Sequence, residues 1–144
     1  MREHGILRGG TGRLLSALAI AAAVTAACVV PSRAEKISNP VAEFTGLDKI
    51  TGQIRTFDVL VDETVQFGAL QLTPRVCYSR PPTEAPQTTA FVEVDEVTLD
   101  RKIQRIFTGW MFADSPGLNA VDHPIYDVWL TNCKTSSEEL GVGN

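Results

Sequence analysis

The sequence predicts an all-β domain: a small antiparallel β-sandwich or barrel with one disulfide, preceded by a signal peptide. Two observations predict this class. Short runs in which apolar residues alternate with polar ones follow one another from residue 44 to residue 133, and turn residues separate them. The same stretch has no run with the 3.6-residue apolar period of an amphipathic helix of useful length.

Residues 1–34 have the three parts of a secretory signal peptide. Arg2, Arg8 and Arg13 supply positive charge, an apolar run covers residues 14–30, and Ser32-Arg33-Ala34 places small residues where signal peptidase reads them. Positive charge stays on the cytoplasmic side while the apolar run enters the bilayer. We expect cleavage after Ala34 and a periplasmic domain.

Two other fates of this segment stay open. The apolar run of 17 residues is at the lower limit for a spanning helix, so the segment could be retained as an anchor. Alternatively, Cys28 could be lipidated, since small residues precede it, although Thr25 stands where leucine is expected. We expect contact with a membrane only in these two cases.

The charge balance restricts the partners. The chain has 13 basic and 17 acidic residues, and four of the basic ones and one of the acidic ones precede residue 35. The exported part therefore carries nine basic residues against sixteen acidic ones, with no basic cluster. This balance argues against nucleic acid as a partner.

Two cysteines, Cys77 and Cys133, remain after removal of the signal peptide. In an oxidising compartment they are expected to form a disulfide that closes a loop of about 57 residues. The domain boundaries that we predict are a lead-in over 35–44, one β-domain over 45–134 and a flexible tail over 135–144. The break at Asn39-Pro40 marks the lead-in.

The strands expected within the domain cover residues 50–61, 64–72, 76–78, 90–99, 102–113 and 124–133. A proline-rich loop covers 80–89 and a second loop covers 114–123. The apolar alternation changes phase at Gly68 and at Asp95-Glu96, and Pro74 cannot donate to a ladder, so we expect a bulge or bend at each of these places.

Three segments resemble domain-of-unknown-function family 2155, a family of exported alphaproteobacterial proteins: LDKITGQIRTFDVLVDETVQFGALQL, RVCYSRPPTEAPQTTAFVEVDE and RIFTGWMFADSPGLNAVDHPIYDVWLTNCK. They cover about residues 45–134. The resemblance implies export and supplies no catalytic residues, because the family has no established activity.

The residues themselves indicate no catalytic site, metal site or cofactor. His123 is the one histidine after the signal peptide, and no nucleophile motif accompanies it. Glu93, Asp95 and Glu96 are candidates for a glycosidase carboxylate pair, but acidic residues on a strand face also serve solubility. Ligand spacing for zinc or calcium is absent from the sequence.

Aromatic residues are the best candidates for a binding surface. The candidate surface consists of Trp110, Trp129, Tyr126, Asp127 and His123. The alternative is that both tryptophans are core residues packed over the disulfide. We therefore expect a non-enzymatic binding or accessory module for an envelope protein or complex. The other hypothesis is a carbohydrate- or peptidoglycan-binding domain, or a weak glycan hydrolase, that uses surface tryptophans.

Overall fold

The computed structural model describes residues 35–136, and nine β-strands account for most of this range. They are β1 (Ile37–Asn39), β2 (Val41–Asp48), β3 (Ile54–Leu60), β4 (Val65–Phe67), β5 (Leu70–Ser79), β6 (Thr89–Val97), β7 (Ile103–Phe112), β8 (Val121–Asp122) and β9 (Tyr126–Lys134). The all-β prediction is confirmed. The signal peptide, Cys28 and residues 137–144 lie outside the described range.

The strands form two antiparallel sheets. Sheet A has the order β1-β5-β6-β7, with β4 also paired to β5, and sheet B has the order β3-β2-β9-β8. Their inner faces meet in one hydrophobic core, which is the arrangement of a β-sandwich. Within residues 35–136 we find no helix, and hence none that would cross a membrane.

The core contains the inward-facing residues of both sheets. In β6, Val92 and Val94 are fully buried, whereas Phe91 and Glu93 beside them reach the outer face. The same alternation in β9 buries residues 128 and 130. The largest fully buried side chains of the core cluster are Phe44, Leu70, Leu72, Met111 and Leu130.

A disulfide joins the two sheets across this core. Cys77 lies in β5 of sheet A and Cys133 in β9 of sheet B, and their Cα atoms are 5.7 Å apart. Both cysteines are buried. The predicted pairing is confirmed, and the structure adds that the bond connects the sheets rather than two strands of one sheet.

The segment 35–44, expected to be a lead-in, contains β1 and the first half of β2 instead. β1 pairs with β5 in sheet A, whereas β2 lies between β3 and β9 in sheet B. The chain changes sheets at Pro40, whose carbonyl accepts a hydrogen bond from the Val61 amide at 2.8 Å. Proline has no N–H to donate to a ladder, so it suits this change of sheet, which lies at the predicted break.

Irregularities occur at the three expected places, but the run 64–72, expected to be one strand, is divided between the antiparallel strands β4 and β5. Gly68 has a φ of +58° in the two-residue turn between β4 and β5, a position where glycine is favoured. The ladder between β5 and β6 shifts between Pro74 and Val76. The third shift occurs between Val94 and Asp95, where the extra residue is Ile106 of the neighbouring strand β7.

Gly46 allows the closest packing in sheet B. A Cβ atom at this position of β2 would lie 2.6 to 2.8 Å from ring atoms of Phe67. The Phe67 ring is held in place because it stacks on Phe57 at 5.5 Å and meets Tyr126 edge to face at 5.7 Å. The ring therefore has little freedom to move away.

We predict that Gly46→Ala lowers the free energy of unfolding by about 1–3 kcal/mol, because the added methyl group overpacks the core. Chemical denaturation of the two proteins measures the difference. Gly117→Ala is the control, since a Cβ there would meet nothing within 4 Å. Equal stability of Gly46→Ala and the unchanged protein would show that the Phe67 ring yields freely.

Candidate functional site

The five residues of the predicted binding surface lie in three places. Trp110 is on the outer face of sheet A, and Trp129 and Asp127 are on the outer face of sheet B. Tyr126 and His123 pack against each other where β8 leads into β9, with ring centroids 5.6 Å apart. They do not form one surface, and ligand binding by any of them stays a prediction. Neither tryptophan is a core residue.

Three rings on adjacent strands of sheet A form what we call the aromatic face: Tyr78 of β5, Phe91 of β6 and Trp110 of β7. Phe91 and Trp110 are register partners and meet edge to face at 5.5 Å, and Trp110 stacks on Tyr78 at 6.1 Å. The ammonium group of Lys36 lies 4.4 Å from the Tyr78 ring centroid. Trp110 is 39 % exposed, and Tyr78 and Phe91 are half-buried beside it.

Ion pairs occupy the neighbouring part of the same outer face. Glu93 accepts from Arg75 at 2.8 Å and pairs with Arg105 at 3.2 Å, and Arg105 also pairs with Asp95. These contacts link β5, β6 and β7. Both Glu93 and Asp95, which the sequence offered as catalytic carboxylates, are thus ion-paired with arginines across the sheet.

Trp129 lies beside a cleft on the opposite side of the molecule. Its volume is about 390 Å³, and Pro116, Asp122 and Asp127 also line it. Lys49 from the β2–β3 turn contacts Asp127 at 2.7 Å and Asp122 at 3.0 Å. Hydrogen bonding to these two carboxylates, with the larger contribution from Asp127, raises the pKa of Lys49 above its ordinary value.

His123 connects the two sheets. Its Nε2 lies 2.9 Å from Oε1 of Glu96 in β6, and its Nδ1 accepts the Ile125 amide at 3.1 Å. Because Nδ1 accepts a hydrogen, the proton of the neutral ring is on Nε2, which donates to Glu96. Both ring nitrogens are engaged and the side chain is only 10 % exposed. This arrangement fits a structural role better than proton transfer.

Sequence reasoning missed Phe91 and Lys49. Phe91 is apolar like the buried Val92 and Val94 of the same strand. Its outward direction can be predicted only when it is known which residues of β6 face the core. Lys49 acts through residues more than 70 positions away, a contact that no local pattern indicates. In the described part of the chain, no three histidine, cysteine or carboxylate side chains converge as a metal site requires.

A family model with the description "Uncharacterized protein conserved in bacteria" matches residues 42–133, nearly all of the sandwich from β2 to β9. The chain belongs to domain-of-unknown-function family 2155. The resemblance inferred from the three sequence segments is thereby confirmed. The family description states no activity, ligand or partner.

One similar protein is the uncharacterized protein RP359 of Rickettsia prowazekii (strain Madrid E). It is 24 % identical over 87 residues, which cover 60 % of this chain and 56 % of that protein. The match therefore spans little more than half of the relative's length. No solved structure matches the chain.

We predict that His123→Ala lowers the free energy of unfolding by about 2 kcal/mol, because it leaves the Glu96 carboxylate and the Ile125 amide without their partner. Denaturant titration measures the loss. Glu96→Gln is the matched variant: the amide oxygen still accepts from Nε2, so its loss should be less than half as large. A His123→Ala variant as stable as the unchanged protein would contradict this role.

Proposed function

We propose that the domain is a non-enzymatic binding module of the periplasm, and that it holds a partner protein of the cell envelope at the aromatic face. One observation carries the proposal: Trp110 contacts both Tyr78 and Phe91 across three adjacent strands on an outer face, away from the core. Aromatic side chains of this kind supply much of the binding energy in protein interfaces.

The geometry of the rings favours binding because they are already ordered. Each ring contacts another, and their strands β5, β6 and β7 are paired side by side in the sheet. The side chains therefore lose little conformational freedom when a partner covers them. The ion pairs around Glu93 lie on the same outer face beside the rings. An apolar centre with a charged rim is the usual anatomy of an interface.

The aromatic face is not required to close the core. Ala90, Val92 and Val94 of β6 are completely buried on the inner side, and the disulfide joins the sheets there. Export is supported by the signal-like segment and by a disulfide that persists in oxidising compartments. A periplasmic location places the face where envelope proteins are accessible.

Site-specific crosslinking tests this proposal. A photoreactive amino acid at position 110 or 78, in the chain expressed in its native host, should give the same discrete adduct after illumination. The same probe at Leu118, which is 74 % exposed in the loop after β7, is the matched control and should not give it. Trp110→Ala should reduce the adduct formed from position 78 at least about tenfold.

Loss of that site dependence would overturn the proposal. Equal adducts from position 118, or none from 110 and 78, would both show that the aromatic face is not the contact surface. Thermal unfolding of each variant shows whether the domain is folded, since replacement on an outer face should leave the core intact.

A second candidate function, glycan binding, is favoured by the cleft beside Trp129. An indole can stack on the apolar face of a sugar ring, and the carboxylates of Asp122 and Asp127 can accept its hydroxyl hydrogens. This site is on the other sheet from the aromatic face.

We predict that, if this second function holds, soluble peptidoglycan fragments change the tryptophan fluorescence of the Trp110→Phe variant but not of Trp129→Phe. The reason is that each variant retains one tryptophan, on opposite sheets. Asp127→Asn should weaken the response by removing one charged acceptor. An unchanged spectrum in both variants would exclude a glycan site at Trp129.

A further inference from the structure

We propose that a groove between β7 and β8 binds an extended basic segment of a partner polypeptide, which adds as a strand to the free edge of β7. This site is distinct from the aromatic face and goes beyond the proposed function. We call it the seam groove because β7 and β8 are the outermost strands of sheets A and B on the same side of the sandwich.

The seam groove has a volume of about 530 Å³, and part of its wall is apolar. Ile106 and Phe107 contribute from β7, and Val121 contributes from β8. Ile106 is the extra residue of the bulge, so the strand bends where it borders the groove. A volume of this size accommodates several side chains of an extended peptide.

The edge of β7 offers backbone groups to such a peptide. The Asn119 side chain donates to the Trp110 carbonyl at 2.6 Å, so Trp110 directs its backbone groups away from β6. Thr108, two residues earlier, has the same direction in the pleat. Within residues 35–136 no hydrogen bond occupies the outward backbone groups of Thr108. Strand addition uses free groups of this kind.

The charge of the groove determines the kind of peptide. Glu96 accepts from His123 through Oε1, and among the described residues no hydrogen bond reaches its Oε2. The Glu96 side chain is 28 % exposed. Asp122, 92 % exposed, also lines the groove, but it pairs with Lys49 at 3.0 Å, so the charge of the groove rests mainly on Glu96. Among the described residues no lysine or arginine pairs with Glu96. A lysine or arginine can lay its stem along Ile106 and Phe107 and place its charge against Glu96.

Other occupants fit the groove less well. Nucleic acid and anionic lipid headgroups would be repelled by Glu96. A small amine would satisfy the charge but would leave the backbone groups of β7 unused. A basic polypeptide segment satisfies the apolar walls, the carboxylate and the strand edge together.

A synthetic probe tests the proposal with the purified protein. The probe is a fluorescein-labelled, capped heptapeptide of alternating valine and lysine, and the same peptide with glutamate in place of lysine is its charge control. Fluorescence anisotropy should detect binding of the lysine peptide to the protein and no binding of the glutamate peptide. N-methylation of alternate backbone nitrogens of the lysine peptide should weaken binding, because strand addition needs those hydrogens.

The protein variants address the groove itself. Glu96→Gln should weaken binding of the lysine peptide about tenfold, because it removes the charge and keeps the hydrogen bond to His123. Glu63→Gln removes an exposed carboxylate of the β3–β4 connection and should change nothing. Trp110→Ala should still bind the lysine peptide. The test of the seam groove is therefore independent of whether the aromatic face binds a partner. Hydrogen exchange should show protection of the Thr108 amide in the complex.

Three results would overturn the proposal: equal binding of the lysine and glutamate peptides, unchanged affinity of Glu96→Gln, or a complex in which the Thr108 amide exchanges as fast as in the free protein. The unfolding midpoint of Glu96→Gln, measured in parallel, shows whether the variant is folded.

Discussion

The two sheets are tied together at both ends of the sandwich, and the remaining surfaces depend on these ties. At one end the disulfide between Cys77 and Cys133 joins β5 to β9. In the chain-entropy model a loop of this length contributes about 4 kcal/mol, a large part of the stability of a domain of this size. At the other end, Glu96 of β6 is hydrogen-bonded to His123. Glu96 lies six residues along β6 from Ala90, the register partner of Cys77. Since these ties and the core close the interior, the outward rings of both sheets are free for contacts with other molecules.

The sequence predicted much of the fold because alternation and its interruptions are local features. Val92 and Val94 alternate with polar residues, and the change of phase after them coincides with the observed bulge. Gly68 and the proline at position 74 were readable for the same reason: a positive φ and a missing N–H restrict the backbone wherever they occur. The disulfide followed from compartment and cysteine number rather than from geometry.

What the sequence could not predict depends on contacts between distant residues. Asn39-Pro40 was predicted as a break within a lead-in, whereas the register of β1 on β5 and of β2 on β3 shows that the chain changes sheets there. The directions of Trp110 and Trp129 were undecided because apolar residues occur on both faces of both strands. The strand register decides both directions: Trp110 is opposite Phe91 in sheet A, and Trp129 is opposite Thr45 in sheet B. Each tryptophan faces outward. The candidate site therefore divided into separate surfaces.

The free edge of β7 raises the question of why the sandwich does not pair with itself there. An exposed ten-residue edge is a template for association, and proteins usually protect such edges with bulges, charges or covering segments. All three occur on β7: the bulge at Ile106, the charge of Arg105, and the Asn119 side chain that occupies the Trp110 carbonyl. They leave a short unprotected section around Thr108, next to the seam groove. The proposed basic segment would pair with this section, and Glu96 at the groove favours that segment over an acidic one.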